Sequence, residues 1–72
     1  MVIIDANTGA QVHWGETFNN INGTFTLLEV TEGLFSAKAM LRNSAGTVIT
    51  VPLVVRYMHP GFLFRKVGFI PS

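Results

Sequence analysis

The stretch Thr24-Phe25-Thr26-Leu27-Leu28-Glu29-Val30, closed by Thr31-Glu32-Gly33 and answered by Leu34-Phe35-Ser36-Ala37-Lys38-Ala39-Met40-Leu41, decides the fold. Short runs rich in Val, Thr, Phe and Leu on either side of a glycine-containing turn read as an antiparallel β-hairpin. Strand periodicity puts Phe35, Ala37, Ala39 and Leu41 on one face and Ser36, Lys38 and Met40 on the other. One side therefore meets a core and the other is mixed.

The same texture extends outward in both directions. Val2 to Ile4 runs through Asn7-Thr8-Gly9 into Gln11-Val12-His13-Trp14, a short hairpin in which Gly9 supplies the positive φ of a bulged loop. Gly15 to Gly23 reads as a polar loop, because Asn19, Asn20 and Asn22-Gly23 favour turns. Asn22-Gly23-Thr24 also matches the N-glycosylation pattern, for which a turn is the simpler explanation. Downstream, Asn43-Ser44-Ala45-Gly46 turns the chain into Thr47 to Val51. Pro52, without an N–H for a ladder bond, marks a sheet edge, bulge or bend before Leu53 to Met58. His59-Pro60-Gly61 is the last strong turn. Phe62 to Ile70 reads as the final strand, with Leu63, Arg65, Val67 and Phe69 alternating against Phe64, Lys66, Gly68 and Ile70. No segment sustains the i, i+3, i+4, i+7 spacing of a helix. The expectation is a single all-β domain over residues 1–72, either a small SH3-like barrel, the favoured form, or a compact β-sandwich of five to seven short antiparallel strands.

Composition limits what such a domain can do. The 72 residues contain no Cys, which excludes disulfides, thiolate zinc sites and thiol catalysis. Charged residues are 12% of the chain, where about 25% is usual. A domain near this size buries only about 60% of the surface its unfolded chain exposes, so some of its apolar excess should end against a partner. The formal net charge of +1 is too small for a general nucleic-acid binder. Met1-Val2-Ile3-Ile4 is broken by Asp5 and has no basic leader, so no signal peptide is expected, and Val2 stands where myristoylation requires glycine. The longest uncharged stretch, between Arg42 and Arg56, contains Gly46 and Pro52 and falls short of the roughly 20 residues of a spanning helix.

No catalytic or cofactor constellation emerges. His13, His59, Asp5 and the three glutamates have no close metal-site spacing, and no metal or other cofactor is expected. Ser36 and Ser44 occupy no nucleophile elbow, and Glu29 and Glu32 flank a turn, where solvation is the simplest fate. A non-enzymatic role follows. All four acids, Asp5, Glu16, Glu29 and Glu32, precede residue 33, and all five basic residues, Lys38, Arg42, Arg56, Arg65 and Lys66, follow it. That asymmetry suggests either a mixed solvated surface, the simpler case, or a bipolar subunit whose acidic loops meet the basic side of a neighbour.

The C-terminal segment supplies the candidate interface. Tyr57, Phe62, Phe64 and Phe69 offer apolar anchors with Arg65 and Lys66 at the rim, and Trp14 is a further candidate. Tyr57, Phe62, Arg65 and Lys66 also make a thin version of a single-strand-binding groove, the basis of an alternative reading as a nucleic-acid-binding barrel. Val54-Val55-Arg56-Tyr57-Met58-His59 is superficially similar to the Tyr-Lys-His element of Sm-like RNA chaperones, but the lysine and their N-terminal helix are missing. A third reading is a cytoplasmic protein-interaction adaptor.

Taken along most of its length, the chain resembles the small, cysteine-free, all-β cement or decoration proteins of tailed bacteriophages. The residues that carry the likeness are Val2-Ile3-Ile4-Asp5-Ala6-Asn7-Thr8-Gly9, opening directly into a hairpin, and Val51-Pro52-Leu53-Val54-Val55-Arg56-Tyr57-Met58-His59-Pro60. The resemblance implies a structural protein of the virion that forms a trimer or other homo-oligomer and bridges copies of a major capsid protein. From charge and composition, no membrane partner is expected, and nucleic acid is kept only as the alternative.

Overall fold

A computed structural model of the chain describes residues 1–58 and 65–71. Among them lie seven strands and no helix: β1 (Val2–Asp5), β2 (Gln11–Val12), β3 (Thr17–Asn20), β4 (Gly23–Glu32), β5 (Ala37–Asn43), β6 (Val48–Met58) and β7 (Arg65–Ile70). They form one sheet in the order β2-β1-β7-β6-β5-β4-β3, curled into a nearly closed barrel. The expected turn at His59-Pro60-Gly61 and the expected strand residues Phe62, Leu63 and Phe64 lie outside the described residues.

Two irregularities curl the sheet. β6 pairs with β5 from Val48 to Leu53 and with β7 from Val54 to Met58, so a single long strand serves both halves of the wall. Pro52 sits next to that changeover, where its missing N–H disturbs the ladder least. In β4 the register to β5 shifts between Leu27 and Glu29, leaving Leu28 as a bulge. Side chains alternate with a period of two, so without the extra residue Glu29 would follow Leu27 into the barrel. With it, Val30 packs against the core and Glu29 is exposed.

The core contains Ile3, Val12, Phe18, Leu27, Leu41 and Leu53, with Ala37, Ala39 and Ile70 completing it. Ala37 and Ala39 face inward on β5, and their small size leaves room for the leucines beside them. Phe18 lies against Phe25 with ring centroids 5.9 Å apart. On β7 Val67, Gly68 and Ile70 are buried, while Phe69, half-buried, pairs with Val54.

Several sequence expectations need correction. The polar loop expected over residues 15–23 contains β3, because Phe18 is buried and its neighbours pair with β4 from Thr17↔Thr26 to Asn20↔Gly23. The strands are not all antiparallel: β1 and β7 run parallel, from Val2↔Val67 to Asp5↔Ile70. Phe35 does not share the inner face of β5. The Gly33 N–H donates to the Ser36 carbonyl at 2.6 Å, which puts Leu34 and Phe35 in the turn, before the alternation begins at Ala37. β2 stops at Val12, so His13 and Trp14 belong to the following turn.

Candidate functional site

Side-chain bonds link the β3–β4 side of the curled sheet to its β1–β7 side at both ends. At one end Asp5, only 1% exposed, finishes β1. Its carboxylate accepts from the Asn7 N–H at 3.1 Å, the Thr8 hydroxyl at 3.4 Å and the Asn20 side-chain amide at 3.3 Å. Asn7 in turn accepts from the Ile21 N–H at 3.2 Å. These bonds join the β1–β2 turn to the β3–β4 turn, and Gly9, at φ 77°, lets the first turn fold back tightly enough for its N–H to reach the Asp5 carbonyl at 2.8 Å. Because donors fill the carboxylate, its role is structural.

At the other end Lys66 donates to Glu32 at 2.7 Å, linking the start of β7 to the end of β4. The hydrogen bond from Lys66 holds the Glu32 carboxyl below its ordinary range, and the same bond raises the Lys66 ammonium above its own. Beside this exposed pair projects the β4–β5 turn, where Leu34 is 90% and Phe35 97% exposed. Tyr57, cross-strand from Lys66, is 62% exposed. A shallow hollow of about 130 Å³ lies among Leu34, Phe35, Ser36, Val55, Tyr57 and Lys66. This end is an apolar projection with a recess at its foot.

A second, more open hollow of about 350 Å³ lies on the outer face, lined by Ala6, Val54, Arg56, Phe69 and Pro71. Of the expected interface residues, the structure brings Tyr57, Arg65 and Lys66 to the projecting end, with Lys66 committed to Glu32. Phe69 lines the second hollow, half-buried, and Trp14, 64% exposed, stands in the β2–β3 turn apart from both. Phe62 and Phe64 lie outside the described residues. Sequence reasoning missed Leu34, Phe35 and Ile21, the last 83% exposed in the β3–β4 turn. The available signal was large apolar residues flanked by turn formers, Gly33 before Leu34 and Asn22-Gly23 after Ile21.

The expected bipolar charge does not survive folding as two separate halves. Asp5 is buried, Glu32 pairs with Lys66, and Glu16 lies 3.3 Å from His13. Among the described residues, Glu29 is the one acid left exposed outside an ion pair, while Lys38, Arg42, Arg56 and Arg65 are exposed without one. No group of three or more His, Cys, Asp or Glu among the described residues could hold a metal ion, and among those residues there is no helix long and apolar enough to cross a membrane. No family model matches the chain, and no curated protein or solved structure is significantly similar to it.

Proposed function

We propose that the protein is a non-enzymatic structural component that oligomerises and docks on a larger protein assembly, the assembly being a phage head, where it acts as a cement or decoration subunit. The observation that carries this reading is the exposure of Trp14, Ile21, Leu34, Phe35 and Tyr57 outside a core already filled by other side chains. Large apolar groups of this kind gain about 1.5–3 kcal/mol each when a partner covers them. A small barrel that presents large apolar groups, most of them on its turns, suits attachment to a protein lattice.

Sedimentation of the purified protein alone, and then with capsid shells of the phage that encodes it, tests the proposal. The expected results are a homo-oligomer and co-sedimentation with the shells. A stable monomer at high concentration that ignores the shells overturns the reading. Salt-sensitive binding of single-stranded RNA through Tyr57, Arg65 and Lys66 would instead favour the nucleic-acid alternative.

A further inference from the structure

We infer that Asn22 is a site of spontaneous covalent modification, closing on the Gly23 amide nitrogen to a succinimide that water opens to aspartate or isoaspartate, and that the isoaspartate form loosens the Asp5 end of the barrel. Asparagine is thermally labile, and the fold decides which of the five in this chain are free to react. Four are held. Asn7 accepts from the Ile21 N–H at 3.2 Å, Asn19 from the Thr24 hydroxyl at 2.5 Å and Asn43 from the Thr47 N–H at 2.9 Å. Asn20 is held twice, accepting from the Asn22 N–H at 2.8 Å and donating to Asp5 at 3.3 Å. The Asn22 carboxamide, exposed in the β3–β4 turn, makes no hydrogen bond among the described residues.

Ring closure requires the carboxamide carbon to swing onto the nitrogen of the next residue. A side chain that must first give up a hydrogen bond closes about fivefold more slowly for each bond lost. The next residue matters as well. Asn7, Asn19, Asn20 and Asn43 precede Thr8, Asn20, Ile21 and Ser44, whose side chains crowd the nitrogen, whereas Asn22 precedes Gly23, which has none. Gly23 is itself exposed, so water and base reach both partners.

The chemistry balances without a cofactor. The Gly23 nitrogen gives its proton to base and bonds to Asn22 Cγ, and the carboxamide nitrogen leaves as ammonia. Water then opens the ring. Cleavage at Cγ gives aspartate and restores the backbone, whereas cleavage at the main-chain carbonyl gives isoaspartate and routes the backbone through the side chain. Either product adds a carboxylate, taking the formal net charge from +1 to zero. The isoaspartate route also inserts a methylene into the turn that closes the Asn20↔Gly23 pair. Asn20 and Ile21 in that turn hold Asp5 and Asn7, so lengthening it strains the bonds that join the two sides of the sheet.

The test ages the full chain at mildly alkaline pH, folded and in urea, and follows each asparagine by peptide mass spectrometry. Folding is expected to slow Asn7, Asn19, Asn20 and Asn43 by about fivefold or more and to leave Asn22 within about twofold of its unfolded rate. Protection of Asn22 equal to that of Asn19 and Asn20, or a folded chain in which position 22 keeps its mass, overturns the site. The aged forms are then separated chromatographically, and the isoaspartate one is identified by a methyltransferase that labels only that linkage. It should unfold at a lower urea midpoint than the aspartate form and the unmodified chain; equal midpoints overturn the coupling to Asp5. Asn22→Gln, which would have to close a larger ring, should keep both its mass at position 22 and its midpoint during ageing. Loss of stability in that variant at the wild-type pace overturns the coupling too, because the change would then arise elsewhere.

Discussion

The two ends of the barrel solve the same problem by opposite means. Each must tie the β3–β4 side of the curled sheet to the β1–β7 side. At the Asp5 end the tie is a buried carboxylate satisfied by backbone and side-chain donors. At the Leu34-Phe35 end it is an ion pair open to water, with large apolar groups exposed beside it. The first tie is the costlier to break, since three hydrogen bonds to a charged group shielded from water are lost together. Water and salt make the second nearly free to break. The first end therefore holds the fold, and the second is free to serve contact.

The most direct way to break this comparison is Asp5→Ala, which removes the acceptor shared by the Asn7 N–H, the Thr8 hydroxyl and the Asn20 amide. The expected loss is about 3 kcal/mol, a large share of the stability of a domain this size. Asp5→Asn, which keeps an acceptor in place, should lose less. Urea unfolding would register the difference as a lower midpoint at unchanged slope. A loss under about 1 kcal/mol for the alanine variant would mean that core packing alone closes this end.

Between the ends, at the waist of the barrel, Gly68→Ala probes how tightly β7 is seated. A methyl group there would lie 2.7 Å from the Met1 sulfur, 3.1 Å from Leu53 Cδ1 and 3.4 Å from Ile3 Cδ1. Met1 can swing aside, but Leu53 and Ile3 belong to the packed core. The expected cost is about 1–2 kcal/mol, and Leu53→Val in the same chain should recover part of it, so that a double-mutant cycle shows favourable coupling. Simple additivity of the two changes would argue that the strand has room to shift.

How legible these features were in the sequence follows from the range of the interactions behind them. The β4–β5 hairpin and the inward Ala37, Ala39 and Leu41 follow from alternation, a local property. The barrel class followed from short strands, turn spacing and the absence of helical periodicity. β3 was missed because Asn19, Asn20 and Asn22-Gly23 carry strong turn signals, and only tertiary burial of Phe18 outweighs them. The parallel β1–β7 pair joins chain ends that share no local signal. The bonds at Asp5 depend on Asn20, fifteen residues away in sequence. At the candidate site the sequence pointed to the Tyr57-to-Lys66 end of the molecule, but the exposed pair at the tip was hidden. Period-two counting had placed Phe35 inside, one residue pair too early.

A weaker probe of the comparison removes the tip side chains while the barrel is left alone. Leu34→Ser with Phe35→Ser should change stability by no more than about 0.5 kcal/mol, since groups 90% and 97% exposed lose little packing when they are shortened. Thermal unfolding measures this directly. A substantial drop would show that the tip packs within the molecule in solution, contrary to its role as a contact element.

The smallest effect, and the one that sharpens the contrast most, concerns Glu32 and Lys66. Glu32 titrates below the ordinary carboxylate range because it accepts a hydrogen bond from Lys66, and Lys66 titrates above the ordinary ammonium range for the reciprocal reason. The sign of each linkage follows. Glu32 favours the folded state above the carboxylate pKa of the unfolded chain, and that contribution disappears as pH falls through its lowered folded value. Lys66 favours the folded state below the lysine pKa of the unfolded chain, and that contribution disappears as pH rises through its raised folded value. The pair is therefore intact across the whole neutral range and fails only at the two extremes. Because both groups are open to solvent, Lys66→Ala should leave the unfolding midpoint at neutral pH unmoved within error. Its signature should appear instead in an NMR titration, where the Glu32 carboxyl, held below its ordinary range by Lys66 in the wild type, moves up in the variant. A marked fall in stability for Lys66→Ala, on the scale expected for Asp5→Ala, would erase the distinction between the two ends and with it the view that only one of them holds the barrel together.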